Sequence, residues 1–231
     1  MSLTLRTDER LLITGKTGAG KTFLARHLTA GIKRLVVLDG KGTLSDWGLE
    51  DWGWSARGKL RAGEYVRTRV RLPVNVKDAG AFWDEVLNVV YKAGNSTIYI
   101  DEIYAIAPPG KNPSPMLFTI YTRGRELGIG AWGGSQRPVW IPLVCMSEAE
   151  HFICFRLQLE DDRRRMSEFM GKDVLTPIVD RYGFFYMQAN EDNPRYYERL
   201  VVNESKVINT IKQPVKQDSF NLLKRRFLKW N

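Results

Sequence analysis

Residues 11 to 22 read Leu11-Leu12-Ile13-Thr14-Gly15-Lys16-Thr17-Gly18-Ala19-Gly20-Lys21-Thr22, and an amphipathic run from Lys21 to Lys33 follows. Leu11 to Thr14 predicts a strand and Lys21 to Lys33 a helix, so the glycine-rich octet joins a strand to a helix N-terminus. In that context the octet is a P-loop. Gly18 and Gly20 let the backbone curl so that successive N–H groups point inward, and the helix N-terminus adds partial positive charge. Gly15, Lys16, Thr17, Gly18, Ala19, Gly20, Lys21 and Thr22 are therefore the candidate nucleotide-phosphate cradle. Lys21 is expected to reach the β- and γ-phosphates, and the Thr22 hydroxyl to ligate Mg²⁺. Lys16 reads as an ordinary loop residue, because a signature-lysine loop carries Gly-Gly next and Thr17-Gly18 stands there.

Beyond the P-loop the chain alternates strands and helices. Leu35 to Leu38 is a short strand ending at Asp39, and Tyr65 to Leu72 alternates Val66, Thr68, Val70 and Leu72 with Arg67, Arg69 and Arg71, so one strand face is arginine. Ala81 to Ala93 predicts a helix, Thr97 to Ile100 a buried strand, Ser114 to Leu127 a helix and Ile129 to Ser135 a strand. Phe152 to Leu157 reads as a strand, Asp161 to Met170 as a helix closed by Gly171, and Phe184 to Gln188 with Arg195 to Val201 as a hairpin. This order implies an α/β fold with a mainly parallel sheet and an antiparallel extension. Composition changes near Val202, which divides the chain into a motor-like core, residues 1–202, and a basic tail, residues 203–231.

A nucleotide-hydrolysing site needs an acid at the end of a second strand. Ser96-Thr97-Ile98-Tyr99-Ile100-Asp101-Glu102, about 80 residues after the P-loop, supplies two. Neighbouring residues at a strand end point in different directions. Asp101 is thus expected to hold Mg²⁺ through its water shell, and Glu102 to polarise the attacking water.

Apolar residues make up 43% and charged residues 26% of the 231, which excludes disordered, collagen-like and coiled-coil classes. No apolar run approaches the roughly 18 residues a bilayer-spanning helix needs, and Met1 to Arg10 lacks a signal-peptide apolar region, so the expected compartment is the cytoplasm. Cys145 and Cys154 lie in apolar stretches and read as buried thiols. The net charge of +9 is local. Residues 55–77 carry seven Lys/Arg, including Arg57, Lys59 and Arg61, against the single acid Glu64, and the tail carries a second basic cluster. Such clusters fit either a polyanion partner or a solvated face.

Further motifs carry a resemblance. Thr122-Arg123-Gly124-Arg125-Glu126-Leu127-Gly128 precedes a strand ending in Gly134-Ser135-Gln136-Arg137-Pro138. Asp39-Gly40-Lys41-Gly42 follows the second strand, and Phe155-Arg156-Leu157 is followed by Asp162-Arg163-Arg164. Together with the P-loop, these resemble the FtsK–HerA superfamily of P-loop ATPases over residues 11 to about 171. For a chain this short, the resemblance is to the genome-packaging ATPases of membrane-containing icosahedral viruses. It implies a RecA-like ASCE core, ATP and Mg²⁺ as cofactors, and a homohexameric ring with nucleotide at each interface. Gln136 would sense the γ-phosphate or position water, and Arg125 would reach a neighbour's nucleotide as an arginine finger, with Arg164 and Arg156 as rivals. The implied function is an ATP-driven motor that moves double-stranded DNA into a preformed capsid, with capsid-vertex or viral membrane proteins as further partners. The alternatives are a secretion or filament-assembly ATPase acting on protein, and a small-molecule phosphotransferase.

Three features stand apart from this site. His27 and His151 have no ligand-spaced partner and read as packing or surface residues. Trp47, Trp52 and Trp54 fit core or subunit packing better than base stacking. In the tail, Phe220, Leu223, Phe227 and Trp230 would align on a helix from about Asp218, with Lys224, Arg225, Arg226 and Lys229 on its remaining surface. Arg67, Arg69 and Arg71 are the candidate DNA-phosphate contacts.

Overall fold

The strand leading into the P-loop, β2 (Arg10–Thr14), is buried at every residue, as expected of a parallel strand covered on both faces. The computed structural model describes residues 5–110, 112–199 and 211–212. Around β2 lie β3 (Arg34–Asp39), β4 (Glu50–Asp51), β5 (Val66–Arg71), β6 (Thr97–Ile100), β7 (Gly130–Ser135), β8 (His151–Phe155), β9 (Phe184–Gln188) and β10 (Arg195–Tyr197). They form one sheet in the order β10-β9-β8-β2-β7-β6-β3-β5-β4. The strands from β8 through β4 are parallel, and β9 and β10 extend the sheet antiparallel beyond β8. The α/β class, the parallel centre and the antiparallel hairpin agree with the sequence reading. A two-residue strand, β1 (Leu5–Arg6), pairs in parallel with β11 (Ile211–Lys212).

Strand alternation divides the core between the two faces of the sheet. In β3, Val36 and Leu38 pack with α2 (Trp54–Ala62), α3 (Ala79–Ala93) and α5 (Pro115–Arg123), whereas Leu35 and Val37 face α1 (Lys21–Thr29). Helix starts follow local chemistry. The Asp78 side chain accepts from Ala81 N to cap α3, and Ser114 accepts from Leu117 N, with Pro115 in the first turn of α5. Before β8 comes α6 (Leu143–Ser147); after it comes α7 (Glu160–Met170), whose first turn holds three acids, Glu160, Asp161 and Asp162, at the positive end of the helix dipole. Among the described residues no helix is long and apolar enough to cross a membrane.

Several boundaries differ from expectation. Helix α1 ends at Thr29 instead of Lys33. There Arg67 Nη1 takes the carbonyls of Thr29, Ala30 and Ile32 at 2.7, 3.2 and 2.8 Å, satisfying groups a helix end leaves free. The helix expected over Ser114 to Leu127 changes after Arg123 into a 3-10 turn, Gly124–Leu127. Helix α2 was not legible, because only Ala56 and Leu60 of its nine residues are buried. A short helix, α4 (Ile103–Ile106), also follows directly on Glu102. The tail helix expected from Asp218, and with it Phe220, Leu223, Phe227 and Trp230, lies outside the described residues.

Cys145 and Cys154 are free and buried, and burial pushes both thiols up to about 12. Trp47 is buried and stacks on Tyr99, Trp52 sits beneath the Arg57 guanidinium, and Trp54 is exposed. His151 is buried between Tyr186 OH, 3.0 Å from Nδ1, and Glu9 Oε2, 3.1 Å from Nε2. His27 packs its ring on Phe23.

Candidate nucleotide site

All the parallel strands end on one edge of the sheet, and the P-loop leaves β2 at that edge. Strand β7 lies between β2 and β6, so the segment after Ser135 emerges between the P-loop and the acids that follow Ile100. The loop is pinned to its neighbours through Gly15 N to Ser135 O at 3.2 Å and Lys16 N to Arg156 O at 2.8 Å. Gly15 has φ 148°, and a Cβ there would fall 2.6 Å from Phe155 Cβ, so only glycine fits over the end of β8. Gly134 serves a second close approach, since a Cβ there would lie 2.6 Å from Asp101 O.

Lys21 folds back on the loop, donating from Nζ to Gly15 O at 2.6 Å and Lys16 O at 3.1 Å. Burial lowers its ammonium to about 8, against the opposing pull of Glu102 and Asp101. Thr22 Oγ1 lies 3.5 Å from Asp101 Oδ1, across 79 positions of sequence. The Asp101 carboxyl is raised, first by burial and then by the negative charges of Asp39 and Glu102. One hydroxyl and one carboxylate, both oxygen donors, suit Mg²⁺, which takes its other ligands from phosphates and water. Consistent with so sparse a donor set, no group of three or more His, Cys, Asp or Glu able to hold a metal occurs among the described residues.

Glu102 is 2% exposed and held from two sides. Gln136 N donates to its Oε1 at 3.1 Å and Lys41 Nζ to its Oε2 at 3.2 Å. The Gln136 side chain reaches the P-loop, where its Oε1 accepts from Thr17 Oγ1 at 2.8 Å. Gln136 therefore joins the P-loop to Glu102, just beyond the end of β6. Burial alone would lower the Lys41 ammonium, but the Glu102 carboxylate and Tyr104 raise it. Asp39 is fully buried and accepts from Thr43 N and Leu44 N, both at 3.0 Å, which shapes the loop that presents Lys41.

The structure thus brings Lys21, Thr22, Asp101, Glu102 and Gln136 together, and adds Lys41. Asp39-Gly40-Lys41-Gly42 was visible as a motif, but nothing local shows that its lysine meets Glu102, 61 positions away. Arg137 and Asp162 likewise stand in separate motifs that the fold joins: Arg137 Nε donates to the buried Asp162 at 2.9 Å, tying the end of β7 to α7.

The arginines divide. Arg125 precedes β7 and pairs with Glu150, which precedes β8, so it lies at the opposite edge of the sheet from the P-loop. Five strand residues at about 3.3 Å each separate it from its own nucleotide site by roughly 16 Å. Arg164 pairs with Glu160 on the exposed face of α7. Arg156 has an exposed side chain beside the P-loop, to which its carbonyl is bonded. Of the three arginines expected to face DNA, two have partners within the chain. Arg67 closes the end of α1, and Arg69 bonds Leu44 O and, at 3.0 Å, Asp51. Only Arg71 of the three, 3.9 Å from Asp39, is about half exposed.

No family model matches the chain. Over 210 residues it is 30% identical to the DNA packaging ATPase P9 of Enterobacteria phage PRD1, an overlap of 84% of this chain and 88% of that protein. In fold it is similar to the genome packaging NTPase B204 of Sulfolobus turreted icosahedral virus 2, solved with AMPPCP. That similarity has a TM-score of 0.68 at 16% identity and covers 85% of this chain and 100% of the other. B204, the DNA-packaging ATPase of Sulfolobus turreted icosahedral virus, gives a TM-score of 0.67 at 18% identity, with 85% and 100% covered.

Proposed function

Because the chain belongs to the family of viral DNA-packaging ATPases, we propose that it hydrolyses ATP in a homohexameric ring to drive double-stranded DNA into a preformed capsid. The observation that carries this reading is the Gln136 bridge, bonded through its side chain to Thr17 and through its backbone to Glu102. A strand-end amide that touches both the phosphate loop and Glu102 suits a reporter of γ-phosphate loss to the rest of the sheet.

In this reading the P-loop amides and Lys21 bind the triphosphate, and Lys21 exchanges its carbonyl partners for phosphate oxygens. Thr22 and Asp101 would hold Mg²⁺, which neutralises phosphate charge when bound. Glu102 accepts a proton from the attacking water while Gln136 N and Lys41 fix the orientation of its carboxylate. Arg125, too far from its own nucleotide, reaches that of the adjacent subunit. Arg71 and the basic residues near it contact DNA phosphates, and the tail, residues 203–231, docks on the ring or on a capsid-vertex or viral membrane protein. The site of action is the host cytoplasm, at the virion vertex.

The test measures ATPase rate with and without duplex DNA, alongside mass by light scattering, for the wild type and for Glu102→Gln. The expected results are a ring-sized mass, stimulation by DNA, and a variant that binds ATP but turns it over about 10²-fold more slowly. A monomer indifferent to DNA would overturn the translocase reading, and near wild-type turnover by Glu102→Gln would overturn the role of that carboxylate.

A further inference from the structure

The antiparallel extension has a use beyond widening the sheet. Strand β9 runs against β8, with Phe184 paired to Phe155, and β10 returns so that Tyr197 pairs with Phe184. The residues just before β9 and just after β10 therefore emerge at the edge that carries the P-loop. Tyr182 lies two residues before β9 and Arg199 two residues after β10, and both line a cavity of about 510 Å³ whose other wall is Gly18, Gly20, Lys21, Thr22 and Phe23. That volume lies within the roughly 300 to 1,000 Å³ of small-molecule sites. The Tyr182 ring lies over the loop itself, since a Cβ on Gly20 would sit 3.7 Å from its Cδ1. Phe23, the first residue after the P-loop, is 54% exposed although its ring packs against His27.

We propose that Phe23, Tyr182 and Arg199 form the subsite for the base and ribose of the nucleotide. The inference deepens the ATPase reading and rests on it: with the triphosphate in the P-loop, the nucleoside extends along the start of α1, where two aromatic rings and a guanidinium meet one cavity. Aromatic faces stack on any base, and a guanidinium suits a ribose oxygen or the α-phosphate. The extension thus supplies one wall of the nucleotide pocket, and the P-loop helix supplies the other.

The experiment is calorimetric titration of the full chain with ATP and with inorganic tripolyphosphate, the latter carrying the phosphates without the nucleoside. Tyr182→Ala should weaken ATP binding about tenfold or more while leaving tripolyphosphate binding unchanged, and Tyr182→Phe should retain wild-type affinity for both. Thermal melting establishes that each variant is folded. Should Tyr182→Ala not fold, Arg199→Ala, at an exposed position, takes its place with the same expected split between the two ligands. Unchanged ATP affinity, or equal losses for ATP and tripolyphosphate, would overturn the subsite. A wild-type chain that binds both ligands equally well overturns the subsite alone, whereas one that binds neither overturns the nucleotide-binding reading and the subsite with it.

Discussion

Lys41 Nζ lies 3.2 Å from Glu102 Oε2, so a lysine from the loop after β3 clamps the carboxylate that follows β6. The lysine is itself positioned, with its ammonium 5.3 Å from the centre of the Tyr104 ring and its loop shaped by the buried Asp39. Because Glu102 is almost wholly enclosed, removing Lys41 would leave a buried carboxylate short of a partner, which costs more than breaking a surface ion pair, although the partial exposure of Lys41 discounts it.

Lys41→Met should lower kcat for ATP by about tenfold or more while leaving ATP affinity near wild type, and Lys41→Arg should recover part of the loss. The reason is orientation: without its clamp the carboxylate keeps only the Gln136 N bond. Steady-state kinetics checks this, and an unchanged kcat would remove Lys41 from the mechanism.

ATP affinity should fall as pH rises through about 8. Burial holds the Lys21 ammonium at about 8 in the free protein; the negative triphosphate favours the protonated form, so binding takes up a proton above that pH. By linkage the association constant then declines by up to about tenfold per pH unit above that point. Calorimetry in buffers of different ionisation enthalpy reads the proton directly. Lys21→Arg, which does not deprotonate, should show a flat profile; a sloping profile that persists in this variant would assign the effect to another group.

Mixing distinguishes a trans finger from a surface salt bridge at Arg125. Arg125→Ala subunits added to Lys21→Ala subunits should recover measurable ATPase activity, because at shared interfaces each supplies what the other lacks. Arg125→Ala alone should keep ATP affinity and lose about 10³-fold in turnover. No recovery in verified mixed rings would count against action in trans, and would return Arg125 to its pairing with Glu150.

Arg67 and Arg71 should separate stability from DNA binding. Arg67→Ala strips three carbonyls at the end of α1 of their donor, for an expected loss of about 1 to 3 kcal/mol and a lower Tm. Arg71→Ala should lower Tm by less than Arg67→Ala does, since its ion pair with Asp39 is long at 3.9 Å, while flattening the log–log salt dependence of duplex binding by up to about one unit. Thermal melts and binding isotherms across salt read the two effects. The reverse pattern would restore the phosphate-tracking role to Arg67.

The local devices of this protein follow from its residue order. A glycine octet between an apolar strand and an amphipathic helix makes a phosphate loop wherever it folds, and a β-branched run ending in Asp101-Glu102 places two acids at a strand end. Both depend on residues a few positions apart, where spacing and backbone geometry leave little choice. What those devices meet is a product of the fold. Thr17 and Gln136 are 119 positions apart, and their bond exists because β7 inserts between β2 and β6, a pairing that no local periodicity encodes. The arginines of β5 show the same limit. Their alternation was legible, but a charge run carries its sign locally and its partner only through the fold, and here the end of α1 and the Leu44 carbonyl claimed Arg67 and Arg69. Lys41 and Tyr182 stayed silent for that reason, since each acts on residues brought beside it by strands distant in sequence.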